Sequence, residues 1–268
     1  MTTHDITQDR RGLATKLAIH YPEREVEQDE EWCEVTVEGK RRRIRLHDYH
    51  EIFEIPGLYE QIFYDKLKCA SPQTVRGLLE RTVREDGLDP SALRVLDVGA
   101  GNGMVGEELT RMGVETLVGV DIIEEAAEAA ERDRPDVYED YHVVDLTEPG
   151  EDVRRELGGK GFNCLVSVAA LGFGDIPPLA FAEAYNYVDT SGHIAFNIKE
   201  DFLHHGDSTG FSRLIRRMLN EGALEQRAQH LYRHRLSLAG DPLNYVAMVA
   251  VKRADVKPEW VEDADRGD

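Results

Sequence analysis

Cysteine is scarce: Cys33, Cys69 and Cys164 are the three thiols in 268 residues. An odd count at these spacings supplies neither a disulfide framework nor a zinc-ligand pattern, so each is read as a packing or surface residue and the chain as a protein of a reducing cytoplasm. Long apolar runs are missing too. CLVSVAALGF (164–173) is among the longest, well short of the roughly 20 residues of a membrane helix. The opening MTTHDITQDRR is polar and lacks the apolar centre of a secretory signal. Basic charge is in deficit: 32 Lys+Arg face 52 Asp+Glu, a net charge of −20. That balance disfavours nucleic acid and anionic membranes as partners, because both are gripped through Lys and Arg.

What is there is a composition of a soluble globular protein, 41% hydrophobic and 31% charged. The chain is long enough to bury a large core without a covalent staple. Residues 1–46 form an acidic arm followed by WCEVTVEGKRRRIRL, where Val35 and Val37, a Glu38-Gly39 turn, then Ile44 and Leu46 predict a small β-hairpin. The basic run Lys40–Arg43 is read as a solvated hairpin face paired with the acidic arm. Residues 47–92 form a helical lid. Its aromatic residues are Tyr49, Phe53, Tyr59, Phe63 and Tyr64, its helical pieces break at Pro56-Gly57, and Ser71-Pro72 reads as an N-cap and first-turn proline.

From Leu93 strands and helices alternate. LRVLDV, TLVGV, YHVV, FNCLVSV and HIAFNI are strands. Between them lie helices marked by Val105, Leu109 and Met112, by the Ala/Glu-rich stretch up to Pro135, by 151–157 and by 178–188. A helix over 211–219 follows, then β-runs at 230–238 and 245–252 joined by Gly240-Asp241-Pro242. Repeated βα units predict a parallel sheet covered on both faces with an antiparallel closing hairpin, over a core of 93–252. Residues 253–268 read as a polar tail.

Three acids carry the chemistry. Asp97 precedes the glycine turn Gly99-Ala-Gly-Asn-Gly103, where glycines let a ligand approach the backbone and the following helix offers unpaired N–H groups. Gly101–Gly106 also satisfies G-x-G-x-x-G, which leaves a pyrophosphate open. Asp97 weighs against it, since a carboxylate repels phosphate and holds an ammonium. Asp121 ends the second strand, where it can accept both hydroxyls of a ribose. Asp145 with Leu146 ends the third, where the acid can accept from an adenine amine and the leucine pack on its ring.

With these residues in place, the chain resembles the class I S-adenosylmethionine-dependent methyltransferases over 93–252, with weaker likeness in 58–79. Through FNCLVSVAALGFGDIPP, SGHIAFNIKEDF and the final hairpin it is most similar to the small-molecule branch typified by the Williams–Beuren-region methyltransferase-like proteins. The resemblance implies a Rossmann-like seven-stranded α/β sheet with helices on both faces and S-adenosyl-L-methionine as cofactor. It implies Gly99, Ala100, Gly101 and Gly103 beside the methionine part, Asp121 and Ile122 at the ribose, and Asp145 and Leu146 at the adenine. It further implies Ser167, Val168 and Ala169 near the transferring methyl, and Tyr64-Asp65 as a pair closing over the donor. Ser167-Val-Ala-Ala stands where DNA amino-methylases carry an Asn/Asp-Pro-Pro-aromatic motif, which lowers the case for nucleobases. Thr190-Ser-Gly192 replaces a common Pro-Gly-Gly turn.

The expected activity is methyl transfer to a small-molecule acceptor, with no metal. Alternatives are a donor-binding protein without catalysis, a nicotinamide-dependent oxidoreductase, and a protein acceptor recognised through Lys40–Arg43; a homo-oligomer stays open. Ligands of such sheets sit outside the C-terminal strand ends. Glu200, Asp201, His204 and His205, the loop 171–175, and from the lid His50, Tyr59, Phe63 and Tyr64 are therefore candidate acceptor contacts. No catalytic base is assigned; His204, His205, Glu200 and Tyr64 are the candidates. His142 is read as an ordinary satisfied histidine.

Overall fold

The computed structural model describes residues 17–22, 28–171, 176–200 and 210–265. Apolar runs with no alternation, such as RVLDV and FNCLVS, suit strands buried on both faces, and they form the centre of the sheet. The core strands are β4 (Arg94–Val98), β5 (Thr116–Asp121), β6 (Asp140–Val143), β7 (Phe162–Ser167), β8 (Val188–Lys199), β9 (Leu224–Leu236) and β10 (Pro242–Lys252). They lie in the order β6-β5-β4-β7-β8-β10-β9. The first five are mutually parallel, and β10 runs antiparallel to both β8 and β9. This is the expected Rossmann-like methyltransferase sheet. The chain turns from β4 to β5 on one side and to β7 on the other, so the crevice for a ligand opens over the C-terminal ends of β4, β5 and β7.

Two helical layers cover the sheet. α2 (Ser71–Glu85) and α3 (Met104–Met112) place Val75, Leu79, Val105 and Leu109 against Val95, Val166, Ala195 and Val249. On the other face α5 (Glu151–Gly159), α6 (Pro178–Asn186) and α7 (Gly210–Asn220) pack Leu157, Phe181, Leu214 and Met218 onto Leu96, Val118, Ile194 and Phe196. Because α2 is part of the core layer, the lid narrows to α1 (Tyr49–Glu54) and a π-helix at Glu60–Lys66. α4 (Glu124–Asp133) meets this lid through Ala126 and Ala129 against Phe53.

Several expectations change. The N-terminal hairpin, β2 (Trp32–Val37) with β3 (Lys40–Arg45), gains a third strand, β1 (Ile19–His20). Among the described residues, Arg42 of the basic run binds Glu51 and Glu54 of α1, and Arg43 lies over the Trp32 ring. Ser71 is not a cap; it lies inside α2, and its hydroxyl is taken up by side chains of the sheet. Thr190-Ser-Gly192 is not a turn but an irregularity within β8, with Ser191 at φ 74. Gly192 is obligatory there, because a Cβ would sit 2.8 Å from the Asn163 carbonyl oxygen.

The polar tail carries a docked helix within its described residues. α8 (Pro258–Asp265) docks on α6 and α7 and buries Trp260, Val261 and Ala264. The link is polar: Lys252 is buried and its Nζ donates to the carbonyls of Tyr185 and Val188, at 3.0 and 2.7 Å, so the end of α6 is satisfied from β10. Among the described residues no helix is long and apolar enough to cross a membrane. Trp260→Ala empties a core position, and its unfolding free energy in urea is expected to fall by about 3–5 kcal/mol; a tail without a packing role would lose almost nothing.

Candidate functional site

A cavity of about 330 Å³ opens over the strand ends. Its floor begins with the turn after β4. Gly99 and Gly101 line it, with φ of 72 and 54. A Cβ on Gly99 would meet Ala170 at 2.7 Å, and one on Gly101 would meet the Phe53 ring at 3.3 Å. Glycine is therefore needed both for the left-handed backbone and for room. Asp121 fastens this turn: Oδ2 accepts from Gly101 N–H at 2.9 Å and Oδ1 from Ile123 N–H at 3.1 Å. Tyr141 donates to the Gly101 carbonyl at 2.8 Å, so both sides of that residue are held. Each Asp121 oxygen keeps a lone pair for a further donor. Burial raises its carboxyl above the usual range, opposed by those backbone bonds.

Asp145 stands exposed just beyond β6. Its Oδ1 takes the Thr147 N–H and hydroxyl, at 2.8 and 2.7 Å, which holds the carboxyl below its ordinary value and leaves Oδ2 open. Ile122 and Leu146 line the cavity beside these acids. After β7, Val168 and Ala169 line it as well. Ala169 sits at φ 58, an unfavourable backbone for a non-glycine residue. It is held by its N–H bond to Asn197 Oδ1, 2.6 Å long.

Other sequence candidates lie elsewhere. Asp97 is fully buried and does not line the cavity: Oδ2 accepts from Tyr138 OH at 2.8 Å. It braces the floor from beneath and cannot hold a ligand ammonium directly. Tyr138 in turn fills the space left by Gly106 and Gly119, where a Cβ would meet its ring at 2.8 and 3.1 Å. Ser167 points into the core with 0% exposure, and Ala100 and Gly103 do not reach the wall. Tyr64 packs in the N-terminal cluster near Tyr59 and is not on the wall. His50 is exposed. Glu200 is described but lies off the cavity. Asp201, His204, His205 and residues 172–175 lie outside the described residues.

The roof and far wall hold residues that the sequence patterns did not single out. Tyr59 and Phe63 were expected; beside them stand Phe53, Tyr49 and His47 from the lid, Gln28 and Cys69, and His234, Arg235 and Tyr245 from the β9–β10 hairpin. Cys69 is no thiolate, since burial raises its thiol. The lid is tied down at the floor: Glu60 Oε1 receives Asn102 Nδ2 at 2.8 Å and Arg134 at 3.0 Å, and Arg132 donates to the Phe53 carbonyl at 3.1 Å.

That tie also decides against a pyrophosphate. The start of α3 is covered by Arg134, which donates to the Asn102 carbonyl at 2.9 Å and to Glu107 at 3.2 Å. Two carboxylates, Glu60 and Glu107, use the cation, so it is not free for a phosphate. Near β6, ligand atoms of Asp140, His142 and Glu156 fall within 4.8 Å of one another. Lys160 already pairs with Asp140 there.

The floor fits S-adenosylmethionine. It offers a glycine turn for the methionine part, a rim carboxylate at the second strand for the ribose, and an open carboxylate oxygen with apolar neighbours at the third for the adenine. Residues 96–196 match a family described as a methyltransferase domain. The fold is similar to an S-adenosylmethionine-dependent methyltransferase from Clostridium acetobutylicum, at 11% identity over 74% of this chain and 97% of that one, TM-score 0.50. It is also similar to magnesium protoporphyrin IX methyltransferase from Synechocystis with bound S-adenosylmethionine, at 15% identity over 68% and 79%, TM-score 0.48. A comparison with curated proteins found no match. The likeness to the Clostridium protein carries the fold alone and leaves the acceptor open.

Burial pushes the Asp97 carboxyl up to about 7, with the nearby Asp121 adding to the rise and the Tyr138 bond opposing it. Between about pH 4 and pH 7 the folded chain keeps a proton that the unfolded chain releases, so this residue's contribution to stability is lost as pH rises. Asp97→Asn removes that loss. Its Tm relative to the parent is expected to climb between about pH 5 and pH 8 in scanning calorimetry; a constant difference would show that the carboxyl is ionised throughout.

Proposed function

We propose that this S-adenosylmethionine-dependent methyltransferase delivers its methyl group to a small-molecule acceptor, in the cytoplasm. One observation supports the acceptor class above others. The cavity lined by the donor floor is also lined by Tyr49, Tyr59, Phe63, His234 and Tyr245. Lining from both the lid and the hairpin suits a compact ligand held between them, and suits poorly a nucleic-acid strand. The net charge of −20 works in the same direction. The resemblance of the 162–178 and 191–202 segments to the Williams–Beuren-region branch agrees with this reading, and three free thiols suit a reducing compartment.

When bound, the donor supplies a methyl group already activated by the positive sulfonium. The chain's residues align and enclose it. Asp121 holds the glycine turn by Gly101 N–H and keeps acceptor capacity for sugar hydroxyls. Asn197 sets the backbone at Ala169, which borders both the floor and the chamber. The rings of Tyr59 and Phe63, 4.7 Å apart, exclude water over the site, so alignment of the nucleophile rather than a strong base supplies most of the effect.

Asp121→Ala removes the ribose acceptor and the anchor of the turn together. Affinity for S-adenosylhomocysteine by calorimetry is expected to fall at least about tenfold, one charged hydrogen bond or more, with the chain still folded. Unchanged affinity would put the ribose elsewhere.

A further inference from the structure

The chamber's far wall carries a proton arrangement whose direction can be worked out. Asn197 Oδ1 accepts the Ala169 N–H, which fixes the orientation of its amide. Both protons on Nδ2 then go to Ser71 Oγ, at 3.1 Å, and Tyr232 OH, at 2.8 Å. Ser71 Oγ also lies 2.6 Å from Tyr232 OH and 2.6 Å from His234 Nδ1. One pattern uses every proton: Tyr232 donates to Ser71, and Ser71 donates to Nδ1. If Nδ1 carried the proton instead, one of the two hydroxyls would be left with the Cys69 sulfur, a weak acceptor, in place of the imidazole nitrogen. Buried donors are almost always paired, so the network selects the imidazole protonated at Nε2.

His234 lies on the cavity wall, 6% exposed, and the hydrogen-bond contacts of its ring among the described residues are made at Nδ1. The charged and titratable groups around it agree with a neutral ring. Arg235 follows it in the chain and is ion-paired with Glu31 at 2.7 Å; the Tyr245 ring packs at 4.2 Å, and the Cys69 thiol lies 3.9 Å from Nδ1. Burial and Arg235 push the ring down to about 3, so it stays uncharged and is a poor base.

We infer that His234 is a fixed hydrogen-bond donor that orients the methyl acceptor, and that the acceptor is an apolar small molecule carrying a carboxylate or carbonyl oxygen, of the aromatic carboxylic acid class. This rests on the methyltransferase reading above. An Nε2–H on one wall favours an oxygen acceptor over a cation, while Tyr49, Tyr59 and Phe63 supply apolar surface for the remainder. Asn197 joins the two halves of the site, since the amide that sets Ala169 beside the donor also sets the Ser71 proton toward His234.

The test uses the full chain with labelled imidazole nitrogens, loaded with S-adenosylhomocysteine and read by nitrogen NMR. His234 is expected to be protonated at Nε2 alone from about pH 5.5 to pH 8.5, and sodium benzoate to shift that signal where benzylamine does not. Ser71→Ala removes the proton offered to Nδ1 but keeps the ring. It should bring up the Nδ1–H form and weaken benzoate binding about tenfold, while donor-product affinity changes little. An Nδ1–H ring or a titration near neutrality in the parent protein, a larger shift with benzylamine, or no shift with benzoate would each overturn the inference. Failure of S-adenosylhomocysteine to bind would instead sink the donor reading.

Discussion

The bond from Gly101 N–H to Asp121 Oδ2 is the joint on which the site depends. It ties the turn after β4 to the end of β5, so two neighbouring parallel strands share one edge. A glycine turn with positive φ has no side chains to lock it, and its shape must come from outside. Asp121 supplies a charged acceptor from one side and Tyr141 a hydroxyl donor from the other. The same carboxylate can then meet a ligand only in the orientation that its backbone bonds allow.

Beneath this joint the protein tolerates a buried acid. Asp97 is enclosed by the core, with one oxygen bound by Tyr138 and the other without a partner. Tyr138 reaches it because Gly106 and Gly119 have no side chains. The spacing that imitates a dinucleotide fingerprint thus does a different job here. Its last glycine admits a tyrosine under the floor, and the helix start is covered by Arg134 with its two glutamates.

Above the joint, enclosure is built from parts distant in the chain. The lid between Asp48 and Cys69 reaches the floor through Glu60, and the closing hairpin reaches the lid through Leu236 N–H on the Leu67 carbonyl and His234 beside Cys69. Arg235 and Glu31 are nearly inaccessible, at 3% and 1% side-chain exposure. Such a pair is costly to desolvate and strongly destabilising to break, which fixes the small N-terminal sheet to the last pair of core strands. The cavity wall on that side exists only because that docking is specific.

Much of this was legible in the chain itself. The βα alternation, the glycine turn and the acids at Asp121 and Asp145 follow from periodicity and from chemistry that is local in sequence, and the sheet built from them is the one expected. The misses share a cause. Leu224–Gln229 is a polar edge strand, exposed on most of its length, so no apolar alternation announces it; α8 looks polar until α7 and α6 cover its Trp260 face. Whether a rim acid faces a ligand or the core turns on the strand face: Asp97 points under the sheet toward Tyr138, while Asp121 sits on the edge. His234 lies in a charged run with nothing local to mark it. Its surroundings arise only from pairing with Ser71, 163 residues away in the chain, whose hydroxyl Asn197 and Tyr232 in turn contact. Local pattern determined which strands and turns form; the docking of lid and hairpin onto the sheet decided which side chains enclose the site, because that choice depends on contacts between residues far apart in the chain.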